Sequence, residues 1–174
     1  MTGARLVPGD VVRVLALVSV VVGTTRSGLV ATALFLLVLG GTMVPRAISA
    51  PTVLDVAYCS TILFAAWAAQ LDWYVAVAWL DLVVHAVATG LIAAMSVRAL
   101  QVWGVVGPAG RRGERALLVL GLGAVLAILW ELGEWAGNAL FDRRIQVGYP
   151  DTMGDLAAGL VGSVVAALVV GRRR

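Results

Sequence analysis

The residues able to do chemistry are concentrated in one stretch. Residues 130–155 read WELGEWAGNALFDRRIQVGYPDTMGD and carry five carboxylates, Glu131, Glu134, Asp142, Asp151 and Asp155, between almost wholly apolar flanks. Upstream, Asp81 precedes His85 by four positions, and His85 is the only histidine of the chain. Carboxylates with one imidazole form a ligand set for a hard or borderline divalent cation, and helical Glu-x-x-Glu and Asp-x-x-x-His spacings occur in the carboxylate metal sites of helix bundles. Two other readings stay open. Without a cation, like-charged neighbours share protons, as in a proton-linked site. Arg143 and Arg144 offer guanidinium groups that pair with the acids or hold the phosphate of a lipid headgroup.

The elements that must position these residues follow from composition. The 174 residues are 61% hydrophobic and 13% charged, with a mean hydropathy of +0.97. That is far more apolar than a soluble domain, and each helical crossing of a bilayer takes about 20 residues. An all-α, polytopic membrane helical bundle of about six transmembrane helices is expected, in a single transmembrane domain over residues 1–174. Pro, Gly and Arg divide it into spans at roughly 11–23, 29–45, 52–71, 75–98, 116–140 and 153–171. The first span has a second reading, as the apolar core of a signal peptide ending near Gly23. Cys59, the only cysteine, lies in an apolar run and builds neither a disulfide framework nor a cysteine metal site.

Arginine supplies the orientation, since all 13 basic residues are Arg. With a cytoplasmic N-terminus, Arg5, Arg13, Arg46, Arg98, Arg111, Arg112, Arg115 and Arg172–174 fall inside, ten in all, against Arg26, Arg143 and Arg144 outside. Both termini are therefore expected in the cytoplasm. The basic balance reports topology and attraction to anionic headgroups; no nucleic-acid partner is expected. The aromatic group Trp67, Trp73, Tyr74 and Trp79 reads as an interfacial belt.

This topology collects seven of the ten acidic residues, Asp72, Asp81, Glu131, Glu134, Asp142, Asp151 and Asp155, on the extracytoplasmic side and leaves Asp10, Asp55 and Glu114 inside. Helical spacing then gives three polar stripes: Asp81, His85 and Thr89; Glu131, Glu134 and Asn138; Asp151 and Asp155. Asp81, His85, Glu131, Glu134 and Asp155 form the expected metal or polar site, with Asn138, Asp151, Arg143 and Arg144 around it. Asp151 also reads as the N-cap of the last span. Gly154, Ala158, Gly162 and Ala166, with Gly133 and Gly137 on the preceding span, are the small residues expected to let the helices approach.

Several activities are excluded by counting. One His and no Lys cannot furnish a lipid phosphatase of the vanadium-haloperoxidase type, nor a CAAX-type metalloprotease with its several histidines. There is no Gly-x-Ser-x-Gly elbow and no phosphate-binding Gly-rich loop. Asp151-Thr-Met-Gly-Asp155 is only a fragment of the CDP-alcohol phosphotransferase motif.

Asp81-x-x-x-His85, Trp130-Glu131-Leu132-Gly133-Glu134-Trp135, and Asp151-Thr152-x-x-Asp155 leading into Gly159 and Gly162 resemble the YjdF-like uncharacterised bacterial inner-membrane proteins, and more distantly VanZ-like proteins. The resemblance covers roughly residues 72–171. The VanZ pattern carries Gln and Asn where this chain has Glu134 and Gly159, which favours the YjdF-like branch and points away from a glycopeptide-resistance role. The resemblance implies a small multi-pass protein of the bacterial plasma membrane with no settled activity. Three functions are open: binding a divalent cation or a lipid headgroup at an acidic extracytoplasmic site, metal-dependent hydrolysis or transfer on a lipid phosphate, and proton- or cation-coupled transport. Whether it is an enzyme is open too.

Overall fold

A computed structural model describes residues 6–107 and 112–172. The described residues are helical and contain no strand. The helices are α1 Gly9–Ala47, α2 Thr52–Gln70, the one-turn α3 Trp73–Ala76, α4 Ala78–Val102, α5 Arg112–Leu140 and α6 Tyr149–Arg172. All but α3 are long and apolar enough to cross a membrane. The chain divides into two compact units, residues 1–72 and 73–174.

In the first unit, α1 is 39 residues long and contains two of the expected spans. It is not one straight rod. Arg13 Nε donates to the carbonyl of Thr42 at 2.8 Å, whereas 29 residues of straight helix would put them about 43 Å apart. The chain doubles back at Gly28, whose φ of 78° belongs to the left-handed region where a side chain is disfavoured. Residues 9–27 and 29–47 are thus two antiparallel arms, and Thr32 Oγ1 bonds Thr24 Oγ1 across the turn at 2.9 Å. Each arm, at about 28 Å, is long enough for a bilayer core.

The arms and α2 close on Ala16, Phe35, Val38, Leu63 and Ala66. Trp67 belongs here and not to an interfacial belt: its ring lies 4.9 Å from that of Phe35, and its Nε1 donates to Ser19 Oγ at 3.0 Å. At the other end Arg13, 6% exposed, meets the buried Asp55 at 2.6 Å and Asp10 at 3.0 Å. These pairings join the first arm to α2, since an unpaired charge in an apolar interior is strongly unfavourable, and the Arg13 bond to the Thr42 carbonyl brings in the second arm.

In the second unit, α6 lies against both α4 and α5. The α6 ridge of small residues packs on α4: a Cβ at Gly162 would run into the backbone of Ala86, and one at Gly90 would stand 2.7 Å from the Gly162 carbonyl oxygen. The expected Gly133–Gly137 contact is not formed. Gly133 faces open space and Gly137 meets only Ile145, while the glycine of α5 that touches α6 is Gly123, against Ser163. Below the crossing, Ala93, Val97, Val119 and Ala167 make the apolar core. Trp79, Leu117, Leu132 and Trp135 project outward, as side chains solvated by lipid do.

Candidate functional site

Each of the three long helices of the second unit presents one polar stripe and an apolar remainder. On α4, Asp81, His85 and Thr89 share a face, while Leu82, Val83 and Val87 are exposed on the other. On α5 the segment Trp130–Trp135 alternates by helical geometry. Trp130, Leu132 and Trp135 point outward; Glu131 is buried and Glu134 half-buried. On α6, Asp155 is 3% exposed and shares its face with Gly159 and Gly162, opposite the exposed Val161 and Val165.

These stripes meet at His85. Its Nε2 lies 3.5 Å from Asp81 Oδ1 and 3.9 Å from Asp155 Oδ1, and its Nδ1 lies 3.9 Å from Glu131 Oε1. Two sets of ligand-type atoms, from Asp81, His85 and Asp155 and from His85, Glu131 and Glu134, each fall within 4.8 Å of one another. The structure thus brings together the five residues expected to form the site. The separations from the imidazole exceed hydrogen-bond length, which is about 2.7–3.2 Å. Ligands about 2.0–2.2 Å from a tetrahedral cation stand about 3.3–3.6 Å apart; the Asp81 separation falls in that range, and the two at 3.9 Å are a few tenths of an ångström wider.

The surrounding polar residues divide differently. Asn138 does not turn to the acids, since its Nδ2 donates to the carbonyls of Ile145 at 2.7 Å and Arg143 at 3.3 Å and so braces the α5–α6 connection. Arg143 Nη1 donates back to Asn138 Oδ1 at 3.5 Å. Arg144 is held by Asp142, with Nη2 2.8 Å from Oδ2, on an otherwise exposed side chain. Hydrogen bonds from the Arg144 side chain and backbone N–H hold the Asp142 carboxyl below the usual carboxylate range. Asp151 lies in the first turn of α6, which begins at Tyr149, and is therefore not the residue preceding the helix. Thr152 faces Glu131 and was visible in the sequence only as the position one turn before Asp155.

The family described as "Predicted membrane protein (DUF2238)" matches residues 10–174. The chain belongs to this family. No curated protein and no solved structure matches it. For this DUF2238 chain the VanZ-like resemblance finds no support in the match, and the packing gives a physical reason for the departure at position 159. A Cβ at Gly159 would stand 3.0 Å from Thr89 Oγ1 of α4, so a side chain such as the Asn of the VanZ pattern would require Thr89 to shift.

Proposed function

We propose that this protein holds a divalent cation among α4, α5 and α6, on the extracytoplasmic side of a bacterial plasma membrane. The observation that carries the reading is the His85 imidazole, with carboxylates facing both ring nitrogens at 3.5–3.9 Å, in a unit whose outer surface is apolar. Charged groups at membrane depth are unfavourable unless compensated, and a cation compensates several carboxylates at once. The extracytoplasmic assignment rests on the ten-to-three distribution of arginine. Family membership supports a multi-pass membrane protein, and the three C-terminal motifs support its YjdF-like branch.

A lipid headgroup is the weaker ligand. Its phosphate would draw on Arg143 and Arg144, and these are engaged with Asn138 and Asp142. Coupled transport is weaker as well, because Asp55, the acid available for a step towards the cytoplasm, is committed to Arg13. Elemental analysis of chelator-washed, reloaded and desalted protein tests the proposal. Near-stoichiometric cation is expected, and its absence across Mg²⁺, Ca²⁺, Mn²⁺ and Zn²⁺ overturns it.

One observation favours a second reading. Asp81, His85 and Asp155 supply three ligands, and three protein ligands with an open fourth position is the arrangement of catalytic zinc sites. A cation held by these three residues would supply a bound water of lowered pKa for hydrolysis of an ester or phosphate. Cation-dependent release of phosphate from a lipid phosphate, lost in Asp155→Asn, is the result this reading requires.

A further inference from the structure

The two nitrogens of His85 are not equivalent. Nε2 faces two carboxylates, Asp81 at 3.5 Å and Asp155 at 3.9 Å, whereas Nδ1 faces Glu131 at 3.9 Å. Asp155 is buried to 3% exposure, and its carboxylate Oδ1 lies 3.9 Å from the imidazole Nε2. Two carboxylates and a neutral imidazole balance one divalent cation. A carboxylate on the far side of a ligating histidine is the usual partner of the second ring N–H, where it fixes the tautomer and the ring orientation.

We infer that the cation is a borderline first-row transition ion bound on Nε2 of His85 with Asp81 and Asp155, and that Glu131 is a positioning residue accepting a hydrogen bond from Nδ1–H. This rests on the cation reading above and deepens it. The imidazole nitrogen selects the cation class, because Ca²⁺ and Mg²⁺ take oxygen ligands whereas Mn²⁺, Fe²⁺, Co²⁺ and Zn²⁺ accept nitrogen. No proton is exchanged in the metal's favour at Nδ1: the ring binds neutral, its one N–H directed to Glu131, and the lone pair of Nε2 forms the metal bond. The competing arrangement places the cation on Nδ1 with Glu131 and Glu134, whose ligand atoms also cluster.

The sole histidine makes the test direct. Chelator-washed full-length protein labelled with ¹⁵N-histidine, in detergent micelles, gives one pair of imidazole nitrogen resonances, recorded before and after one equivalent of Zn²⁺ or ¹¹³Cd²⁺. The expected result is a metal-induced shift, and with ¹¹³Cd a splitting, on Nε2 while Nδ1 stays protonated, with no response to Mg²⁺ or Ca²⁺. Splitting on Nδ1 would overturn this inference and leave the cation reading intact; no response of either nitrogen to any cation would remove both. Glu131→Gln should weaken Zn²⁺ binding about 10–100-fold while Nε2 remains the ligand. Asp155→Asn should abolish binding under the same conditions. Unchanged affinity in Glu131→Gln would overturn the role given to Glu131.

Discussion

Replacing Gly162 with Ala tests whether the α4–α6 crossing builds the site. A Cβ at this position would lie 2.6 Å from the carbonyl carbon and 3.0 Å from the Cα of Ala86, both main-chain atoms of α4 that cannot rotate away. Ordinary carbon–carbon contact is about 3.5–4.0 Å, so the helices must separate locally by about 1 Å. Overpacking of this kind costs about 1–3 kcal/mol. The displacement falls next to the site, because Ala86 adjoins His85 and Asp155 lies two turns from Gly162 on the same helix. Widening the 3.9 Å gap between His85 Nε2 and Asp155 Oδ1 by that amount takes it further from the roughly 3.3–3.6 Å at which two ligands share a tetrahedral cation. Gly133→Ala is the matched control, since nothing lies within 4 Å of its Cβ. Exchanging Gly for Ala in an open helical position is neutral or stabilising by up to about 1 kcal/mol. Thermal unfolding in detergent, with cation affinity measured on the same preparations, is the assay. The expected result is a lower Tm and weaker binding for Gly162→Ala and neither for Gly133→Ala. A Gly162→Ala protein as stable and as tightly binding as wild type would refute the crossing described here.

Asp55→Asn removes the buried carboxylate from the Arg13 guanidinium and leaves only the more exposed Asp10 as its countercharge, and should cost up to about 3–5 kcal/mol in denaturant unfolding. The paired change Arg13→Met with Asp55→Leu should recover most of it; a single mutant within about 1 kcal/mol of wild type would contradict the clasp. Asp142→Asn should leave cation affinity unchanged, because Asp142 pairs with Arg144 in the connection. The small stability that pair contributes is present above the unfolded carboxylate pKa and lost as pH falls through the lowered folded value, a loss that pH-dependent unfolding of the two proteins detects. Reporter fusions after Arg112 and Arg174 should read as cytoplasmic and a fusion at Gln146 as external, and a cytoplasmic signal at Gln146 would move the acidic cluster to the other side of the membrane.

Much of this arrangement was legible in the chain because membrane helices obey strong constraints. An apolar run with internal hydrogen bonding has little choice but helix, and three- and four-residue spacing then decides which polar residues share a face. That is why Asp81 with His85, Glu131 with Glu134, and Asp155 could be read as stripes before their contact was seen. Periodicity is silent on which small residues touch which helix. Gly133 and Gly137 have the spacing of a packing motif, yet the contact of α5 with α6 is made by Gly123 and Ser163, since the rotation of α5 is fixed by burying Glu131 and exposing Trp135. Trp67 looked interfacial from its place near a span end, but its indole N–H found Ser19 and its ring found Phe35, which only the fold of the α1 arms brings near. Helical spacing places Asn138 on the acidic stripe, but the backbone carbonyls of the connection after α5 take its amide donors; the two arginines, expected near the acids, donate to Asn138 and Asp142 of that same connection.

The central claim is that the cluster around His85 is a cation site and not a set of structural hydrogen bonds. The most direct measurement is thermal unfolding of chelator-washed protein in detergent, titrated separately with Zn²⁺, Mn²⁺, Mg²⁺ and Ca²⁺, for wild type and Asp155→Asn. A ligand that binds only the folded state stabilises it by about 2.7 kcal/mol at 100 times its dissociation constant. The account predicts that gain for wild type with Zn²⁺ or Mn²⁺ and its loss in Asp155→Asn. Wild-type unfolding indifferent to all four cations would contradict it.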